Sequence, residues 1–149
     1  MNKLILSTLA HTWILDLDGT IVKHNGYKLD GTDTLLEGAK EFLEDIPEKD
    51  MIVFLTSRTD EYKNKTINFL NENKIRYDYI IFNAPYGERI LVNDDKPSGL
   101  HMSIGINKKR DEKLCINIEE DSMLWSVNFG IWLYYKYYDD GFIIPNIMW

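Results

Sequence analysis

Two aspartates, Asp16 and Asp18, follow the apolar residues 13–15 and precede the turn-forming pair Gly19 and Thr20. Side chains at positions i and i+2 of an extended chain point the same way, so both carboxylates can face one pocket. Phosphoryl transfer needs a nucleophile, a cation that neutralises the phosphoryl oxygens, and an acid for the leaving oxygen. Two such aspartates and a bound cation can supply all three.

The surrounding pattern predicts the elements that would position these carboxylates. Strands are predicted at residues 13–15, 51–55, 79–82, 90–92 and 102–106, with a further one at 115–118, and helices at 34–45 and 61–71. This alternation is typical of an α/β protein, here a three-layer Rossmann-like fold with a central parallel sheet. Ligands of such sheets bind at the carboxyl ends of the strands. We therefore expect Asp16, Thr56, Asn83 and Asp94 to meet in one crevice.

The segment from Asp16 to Thr20 resembles the first motif of the haloacid dehalogenase superfamily, an apolar strand followed by Asp-x-Asp-Gly-Thr. The resemblance implies that Asp16 forms an aspartyl-phosphate. It also implies that Asp18 protonates the leaving alcohol and then deprotonates the attacking water. An aspartate at position 18 favours the phosphatase and phosphomutase branches. Gly19 and Thr20 are expected to contact the substrate.

The strand and loop at residues 53–58 are similar to the second motif of that superfamily, a strand that ends in Thr or Ser. Thr56 would then bind a phosphoryl oxygen as part of the catalytic set. A hydroxyl group and backbone amides at the start of a helix suit an anion. Ser57 and Arg58, which follow, are expected substrate contacts.

Residues 90–95 are similar to the fourth motif, an apolar strand that ends in acidic residues. The resemblance implies a Mg²⁺ cofactor held by Asp16, by the backbone carbonyl of Asp18, and by Asp94 as the first choice or Asp95 as the second. Magnesium prefers hard oxygen ligands and keeps several waters.

The third motif departs from the family pattern. Many small relatives carry a lysine soon after the third strand, where this chain has Asn83-Ala84-Pro85. Lys96, directly after the acidic pair, is the expected catalytic substitute, and Lys74 is the alternative.

The spacing of the motifs leaves no room for a large cap domain. Residues 21–33 are predicted to form a hairpin flap beside the site, with His24, Asn25 and Tyr27 as substrate contacts. The resemblance covers about residues 12–107 of a single domain spanning 1–149. The aromatic extension at about 108–149 is expected in the core or in a homo-oligomer interface.

Composition narrows the classes of partner. The 149 residues include 24 acidic and 17 basic side chains, a balance that argues against binding nucleic acid by counterion release. Cys115 is the single cysteine, so no intramolecular disulfide can form, and a reducing compartment is expected. The sequence contains no apolar stretch of the ~20 residues that a membrane span requires. We therefore expect a cytoplasmic protein without a membrane partner.

The expected function is hydrolysis of a phosphomonoester on a small metabolite, such as a sugar phosphate or an amino-alcohol phosphate. Residues 93–99 resemble a segment of small phosphatases in capsule or surface-polysaccharide synthesis. Two alternatives remain: a non-catalytic phosphate-binding or scaffold protein on the same fold, and a phosphotransferase or mutase.

Overall fold

The computed structural model describes residues 2–97 and 99–124, which form an α/β fold with a parallel sheet. The strands are β1 Asn2–Leu6, β2 Thr12–Leu15, β3 Met51–Leu55, β4 Tyr79–Ile81 and β5 Ile116–Glu120. The helices are α1 Gly26–Leu29, α2 Ala39–Asp45 and α3 Lys63–Glu72, the last preceded by a 3-10 turn at Asp60–Tyr62. The predicted alternation of strands and helices, with a parallel sheet, is confirmed for β2 through β4.

The three-stranded sheet has the order β2-β3-β4, with every pair parallel. Leu15 pairs with Phe54, and Leu55 pairs with Ile81, so the three strands end at one edge. Side chains alternate between the two faces of a strand, and Ile52 and Phe54 on β3 are completely buried. Burial of these apolar side chains fixes which way the neighbouring residues point.

Asp50 connects β2 to β3 at the opposite, amino edge of the sheet. Its buried carboxylate accepts hydrogen bonds from the indole Nε1 of Trp13 at 2.9 Å and from the backbone amide of His11 at 2.9 Å. Trp13 also packs edge-on against Phe42 of α2, with 5.7 Å between the ring centroids. This cluster holds the helix and both strands together.

The described residues divide into two compact units. The first contains Ala10–Arg89, Ile106–Glu119 and residues 2–4, and it includes the three-stranded sheet. The second contains Ile5–Leu9, Ile90–Gly105 and residues 120–124. Strands β1 and β5 form a separate two-stranded sheet, in which β1 was not predicted from the sequence.

Helix α2 begins at Ala39, five residues later than predicted. The residues before it pair with the chain after β2 instead: Leu35 forms a bridge with Val22, and the Leu36 amide donates to the carbonyl of Ile21. Gly38, with φ at 78°, then turns the chain into the helix. A Cβ at position 38 would collide with the carbonyl oxygen of Leu114. Tertiary pairing therefore overrides the helical spacing of the leucines.

The strands predicted at 90–92 and 102–106 are wrong, because the structure assigns no strand to either segment. Ile90, Leu91 and Val92 are 86, 57 and 89% exposed. Apolar, β-branched residues favour a strand only where a neighbouring strand and a buried face receive them. The described part of the chain provides neither for these residues.

The segment 21–33, predicted as a hairpin flap, has antiparallel pairing at its ends, where Val22 bridges Leu35, but its middle is helical and not a hairpin. The segment contains the short helix α1, and Ile21, Val22 and Tyr27 are buried at 0, 2 and 6% exposure. These apolar side chains attach the segment to the first unit. The aromatic residues predicted to form a core or interface at 125–149 lie outside the described residues.

Across residues 2–97 and 99–124, none of the helices has the length and apolar content needed to cross a membrane.

Candidate active site

The carboxyl edge of the sheet brings the first and second motifs together. Asp16 is the first residue after β2, and Thr56 is the first after β3. The hydroxyl of Thr20 returns to the strand end and donates to Oδ2 of Asp16 over 3.2 Å. The predicted proximity of these two strand ends is thus present in the fold.

A tight turn places Asp18 beside Asp16. The carbonyl of Leu17 accepts the amides of Thr20, Ile21 and Val22, so the chain reverses directly after the second aspartate. Gly19 has φ at 85°, a conformation that residues with a Cβ rarely adopt. A Cβ at this position would also lie 2.8 Å from Cγ of Arg110. Glycine at position 19 is therefore required by the turn and its neighbour.

Asp16 is half-buried, and burial is the main cause that raises the pKa of its carboxyl group. The nearby charge of Asp18 raises the pKa further, whereas the hydrogen bond from Thr20 and the charge of Arg89 lower it. A buried carboxylate gains from a nearby cation, because the cation compensates the hydration that the charge has lost. The position suits a nucleophile that works beside a bound cation.

Asp18 forms a two-pronged ion pair with Arg58. Nε of Arg58 donates to Oδ2 at 2.8 Å, and Nη2 donates to Oδ1 at 2.9 Å. Paired geometry of this kind gives the strongest and most directional carboxylate contacts. The side chain of Asp18 keeps 17% exposure, whereas that of Arg58 keeps 1%. Arg58 therefore lies behind Asp18, inside the protein.

The other side of Arg58 contacts Asp33 and Thr66. Nη1 and Nη2 each donate to one oxygen of Asp33 at 2.7 Å, and Nη1 donates to the Thr66 hydroxyl at 2.9 Å. These contacts and those to Asp18 occupy all five N–H donors of the guanidinium group. Arg58, predicted to contact substrate, is instead fully engaged with protein acceptors in this structure.

Tyr27 forms the wall of this cluster. The guanidinium carbon of Arg58 lies 4.1 Å from the centroid of the Tyr27 ring, a favourable cation–π arrangement. Tyr62 packs against the same ring edge-on at 4.5 Å. Tyr27, predicted as a substrate contact, is buried against Arg58.

Thr56 is almost completely buried, and its Oγ1 accepts the backbone amide of Arg58 over 3.2 Å. The hydroxyl can still donate its own proton, so it can hold an oxygen of an anion at the strand end. The Thr56 carbonyl accepts the amide of Ala84, which ties the chain after β4 to the same edge. Asn83 has φ at 58° in that connection, and its amide donates to the Arg58 carbonyl.

Arg89 supplies a cation near Asp16 that sequence reasoning missed. Its guanidinium donates to the Ser57 hydroxyl at 3.3 Å and to the carbonyl of Pro85. Its charge also acts on Asp16, as described above. The only signal for Arg89 in the sequence was a basic residue in the segment after β4, six positions after Asn83.

Residues after 107, assigned to the extension by their sequence, contact the motif turn. Lys108 donates through Nζ to the Gly19 carbonyl at 3.0 Å, and the Asp111 amide donates to the same oxygen. The Asp111 carboxylate accepts the amide of His24 at 2.7 Å, and the side chain of Asn25 lies 3.0 Å from the His24 ring. His24 and Asn25 therefore lie beside the turn, close to Gly19.

Asp94, Asp95 and Lys96 belong to the second unit. Oδ1 of Asp95 lies 3.1 Å from Nδ1 of His101, and Lys96 joins Gly99 and Leu100 in a turn. Their meeting with Asp16 stays a prediction. In residues 2–97 and 99–124, no three acidic, His or Cys side chains group closely enough to hold a metal ion. The aspartate oxygens nonetheless have the hard-donor chemistry that magnesium prefers.

Lys74, the alternative cation, lies in the connection that leads into β4. Parallel strands begin at the amino edge, opposite the edge where Asp16 and Thr56 follow their strands. Lys74 lines a shallow cavity there with Leu43 and Ile75. Topology therefore separates Lys74 from the candidate site.

No family model matches the chain, and no curated protein matches it. The solved structures that resemble it include chains described as "Structure of Pnkp1/Rnl/Hen1 complex" and "Structure of the Pnkp1/Rnl/Hen1 RNA repair complex". Each is 25% identical to this chain with a TM-score of 0.44, and the matches cover 56% and 55% of this chain. The matches span 31% and 28% of those chains, less than a third of their length. The chain is similar to parts of these proteins over roughly half of its own length.

Proposed function

We propose that this chain is a magnesium-dependent phosphomonoester hydrolase on a capless core of the haloacid dehalogenase type. The observation that carries the proposal is the arrangement of Asp16, Asp18 and Thr56 at one edge of a parallel sheet. Asp16 is half-buried beside the Thr20 hydroxyl, and Asp18 is held by Arg58 from behind. One carboxylate is thus placed for attack and the other for proton transfer.

In the proposed first step, a carboxylate oxygen of Asp16 attacks the phosphorus of the ester. The new O–P bond forms as the ester P–O bond breaks, and the leaving alkoxide takes a proton from Asp18, which must carry that proton when the ester binds. The Thr56 hydroxyl and the Arg89 guanidinium would bind the phosphoryl oxygens. A magnesium ion bound at the aspartates would offset the negative charge that gathers on those oxygens.

In the second step, Asp18 takes a proton from water, and the water oxygen attacks the phosphorus of the aspartyl-phosphate. The bond between Asp16 and phosphorus breaks, which releases inorganic phosphate and restores both carboxyl groups. Asp18 acts first as an acid and then as a base, because it loses its proton in the first step and takes one from water in the second.

Arg89 replaces Lys96 as our preferred cation. Its guanidinium group contacts Ser57, the neighbour of Thr56, and its charge lowers the pKa of Asp16 against the effect of burial. Lys96 remains a candidate from the second unit. A guanidinium group can hold two phosphoryl oxygens at once, which suits this role.

The test is phosphate release from a panel of sugar phosphates, amino-alcohol phosphates and nucleotides, with magnesium or with chelator. Asp16→Asn serves as the blank, and Asp30→Asn, an exposed carboxylate paired with Lys23, serves as the matched control. We expect magnesium-dependent release from the wild type and the control, and none from Asp16→Asn. Equal release by wild type and Asp16→Asn would contradict the mechanism, and no release from any ester would contradict the function.

A further inference from the structure

Asp33 is a buried carboxylate to which the proposed reaction assigns no role. Its side chain is 1% exposed, and both of its oxygens accept N–H groups of Arg58 at 2.7 Å. A buried charge is costly unless it is fully paired. The pairing with Arg58 explains how Asp33 is tolerated, and it makes Asp33 part of the structure behind the site.

Arg58 thus lies between two carboxylates that differ in exposure. Asp33 is sealed from solvent, whereas the side chain of Asp18 keeps 17% exposure. Asp18 is therefore the partner of Arg58 that can face a substrate. Arg58 is held from the other side by its three bonds to Asp33 and Thr66 and by its contact with the Tyr27 ring.

Orientation matters for Asp18, because a proton donor must lie within hydrogen-bonding distance of the leaving oxygen. Two hydrogen bonds from a planar guanidinium group restrict both the position and the tilt of a carboxylate. The plane of Arg58 is set in turn by the paired bonds from the opposite side. The direction of Asp18 is therefore determined by a residue it does not touch.

We propose that Asp33 is a positioning residue that, through Arg58, orients Asp18 for proton transfer to the leaving group. The proposal rests on the phosphatase function proposed above. Thr66 supports the same orientation through its bond to Nη1. Asp33 would contact neither substrate nor metal, so its effect should be confined to the proton transfers that Asp18 makes.

Leaving-group chemistry provides the test. An alkyl phosphate expels a strongly basic alkoxide that needs a proton, whereas p-nitrophenyl phosphate expels a weakly basic phenolate that does not. The ratio kcat/KM reports the steps up to departure of this group, free of the later hydrolysis of the aspartyl-phosphate. Loss of a correctly placed acid should slow the alkyl ester selectively, and an acid of this kind contributes about 10²–10⁴-fold.

The experiment compares wild type, Asp33→Asn and the exposed control Asp30→Asn on both esters. We expect Asp33→Asn to lower kcat/KM for the alkyl ester at least about tenfold, with less than about threefold change for the aryl ester. Asp30→Asn should match the wild type on both. Equal losses on the two esters, or no loss on either, would overturn the positioning role.

A second variant covers the case in which Asp33→Asn does not fold. Thr66→Val keeps the shape of the side chain and removes one bond to Arg58 without altering charge. It should show the same preference for the aryl ester, to a smaller degree. If the wild type is active and Thr66→Val is slowed equally on both esters, this inference is overturned and the phosphatase function stands. An inactive wild type would overturn the phosphatase function and this inference with it.

Discussion

Asp18 and Arg58 are joined by two charge-assisted hydrogen bonds of 2.8 and 2.9 Å, although 40 residues separate them in the sequence. The pair connects the turn after β2 to the loop after β3. It therefore links the proposed proton donor to the loop that begins with Thr56. Its geometry explains why an arginine that looks like a substrate contact in the sequence is buried in the structure.

Removal of the Arg58 charge should destabilise the fold. In Arg58→Met, Asp18 and Asp33 would keep their charges without the cation between them. Breaking a buried pair from one side costs about 3–5 kcal/mol. Urea unfolding should show a loss of this size, whereas Lys109→Met, at an 85% exposed side chain, should stay within about 0.5 kcal/mol of wild type. A loss below about 1 kcal/mol would show that the cluster is not held by Arg58.

Asp16→Asn should stabilise the metal-free protein at neutral pH, although it abolishes the proposed activity. Burial raises the pKa of Asp16, so the folded state binds this proton more tightly than the unfolded state. The stability linked to that proton is present at low pH and is lost as the pH rises through the raised pKa. Asparagine avoids this loss.

Thermal unfolding in chelator should therefore give a higher Tm for Asp16→Asn than for wild type at pH 7. The difference should shrink as the pH falls below about 4, near the ordinary aspartate value. Asp30→Asn should show neither effect. A lower Tm for Asp16→Asn at pH 7 would contradict the interpretation of Asp16 as an unfavourably buried charge.

Asp50 should show the opposite pH dependence. Burial works against its charge, but the hydrogen bonds from Trp13 and His11 prevail and lower the pKa. A lowered pKa gives stability that is present above the ordinary aspartate pKa and is lost as the pH falls through the folded value. Asp50→Asn should therefore lower Tm at pH 7 and lower it less at pH 3, with exposed Asp45→Asn as control. An equal deficit at both pH values would argue against the ionised carboxylate as the stabilising form.

Arg89→Met should weaken phosphate binding. A charge-assisted hydrogen bond contributes about 1.5–3 kcal/mol, so the inhibition constant for inorganic phosphate should rise about tenfold or more. Arg89→Lys should retain part of the effect because it keeps the charge. Lys113→Met, which removes an exposed partner of Glu37, should leave the constant unchanged. If the inhibition constant for phosphate is unchanged in Arg89→Met, Lys96 becomes the preferred cation for binding the phosphoryl group.

Asp94 and Asp95 should differ in their contribution to magnesium dependence. Asp95 is already paired with His101, so Asp94 is the better candidate for a ligand. Asp94→Asn should raise the magnesium concentration for half-maximal phosphate release about tenfold or more, with a smaller effect for Asp95→Asn. Magnesium titration of both variants checks this. Equal shifts would indicate that both carboxylates bind the ion, and a larger shift for Asp95→Asn would reverse the assignment.

Apolar runs and turn residues were enough to predict β2, β3 and β4. Each run is short and ends in polar or turn residues. In the structure β2 buries Trp13 and β3 buries Ile52 and Phe54, whereas β4 has no buried residue and is held by its pairing with β3. The same reasoning failed at Ile90–Val92, which has an equally apolar pattern but no strand pairing in the described part of the chain. A local apolar pattern indicates a preference for a strand, but whether a strand forms depends on a neighbouring strand that the tertiary structure must supply.

The sequence alone determined the pair of carboxylates after β2 and the hydroxyl after β3, because strand ends and turns are encoded by neighbouring residues. Only the tertiary structure decided that Arg58 lies behind Asp18, that Asp33 holds Arg58, and that Arg89 acts on Asp16. These contacts join residues 25 or more positions apart. The packing of the sheet, its connections and its buried loops brings these charged residues together, and the local spacing of residues in the sequence does not predict such pairs.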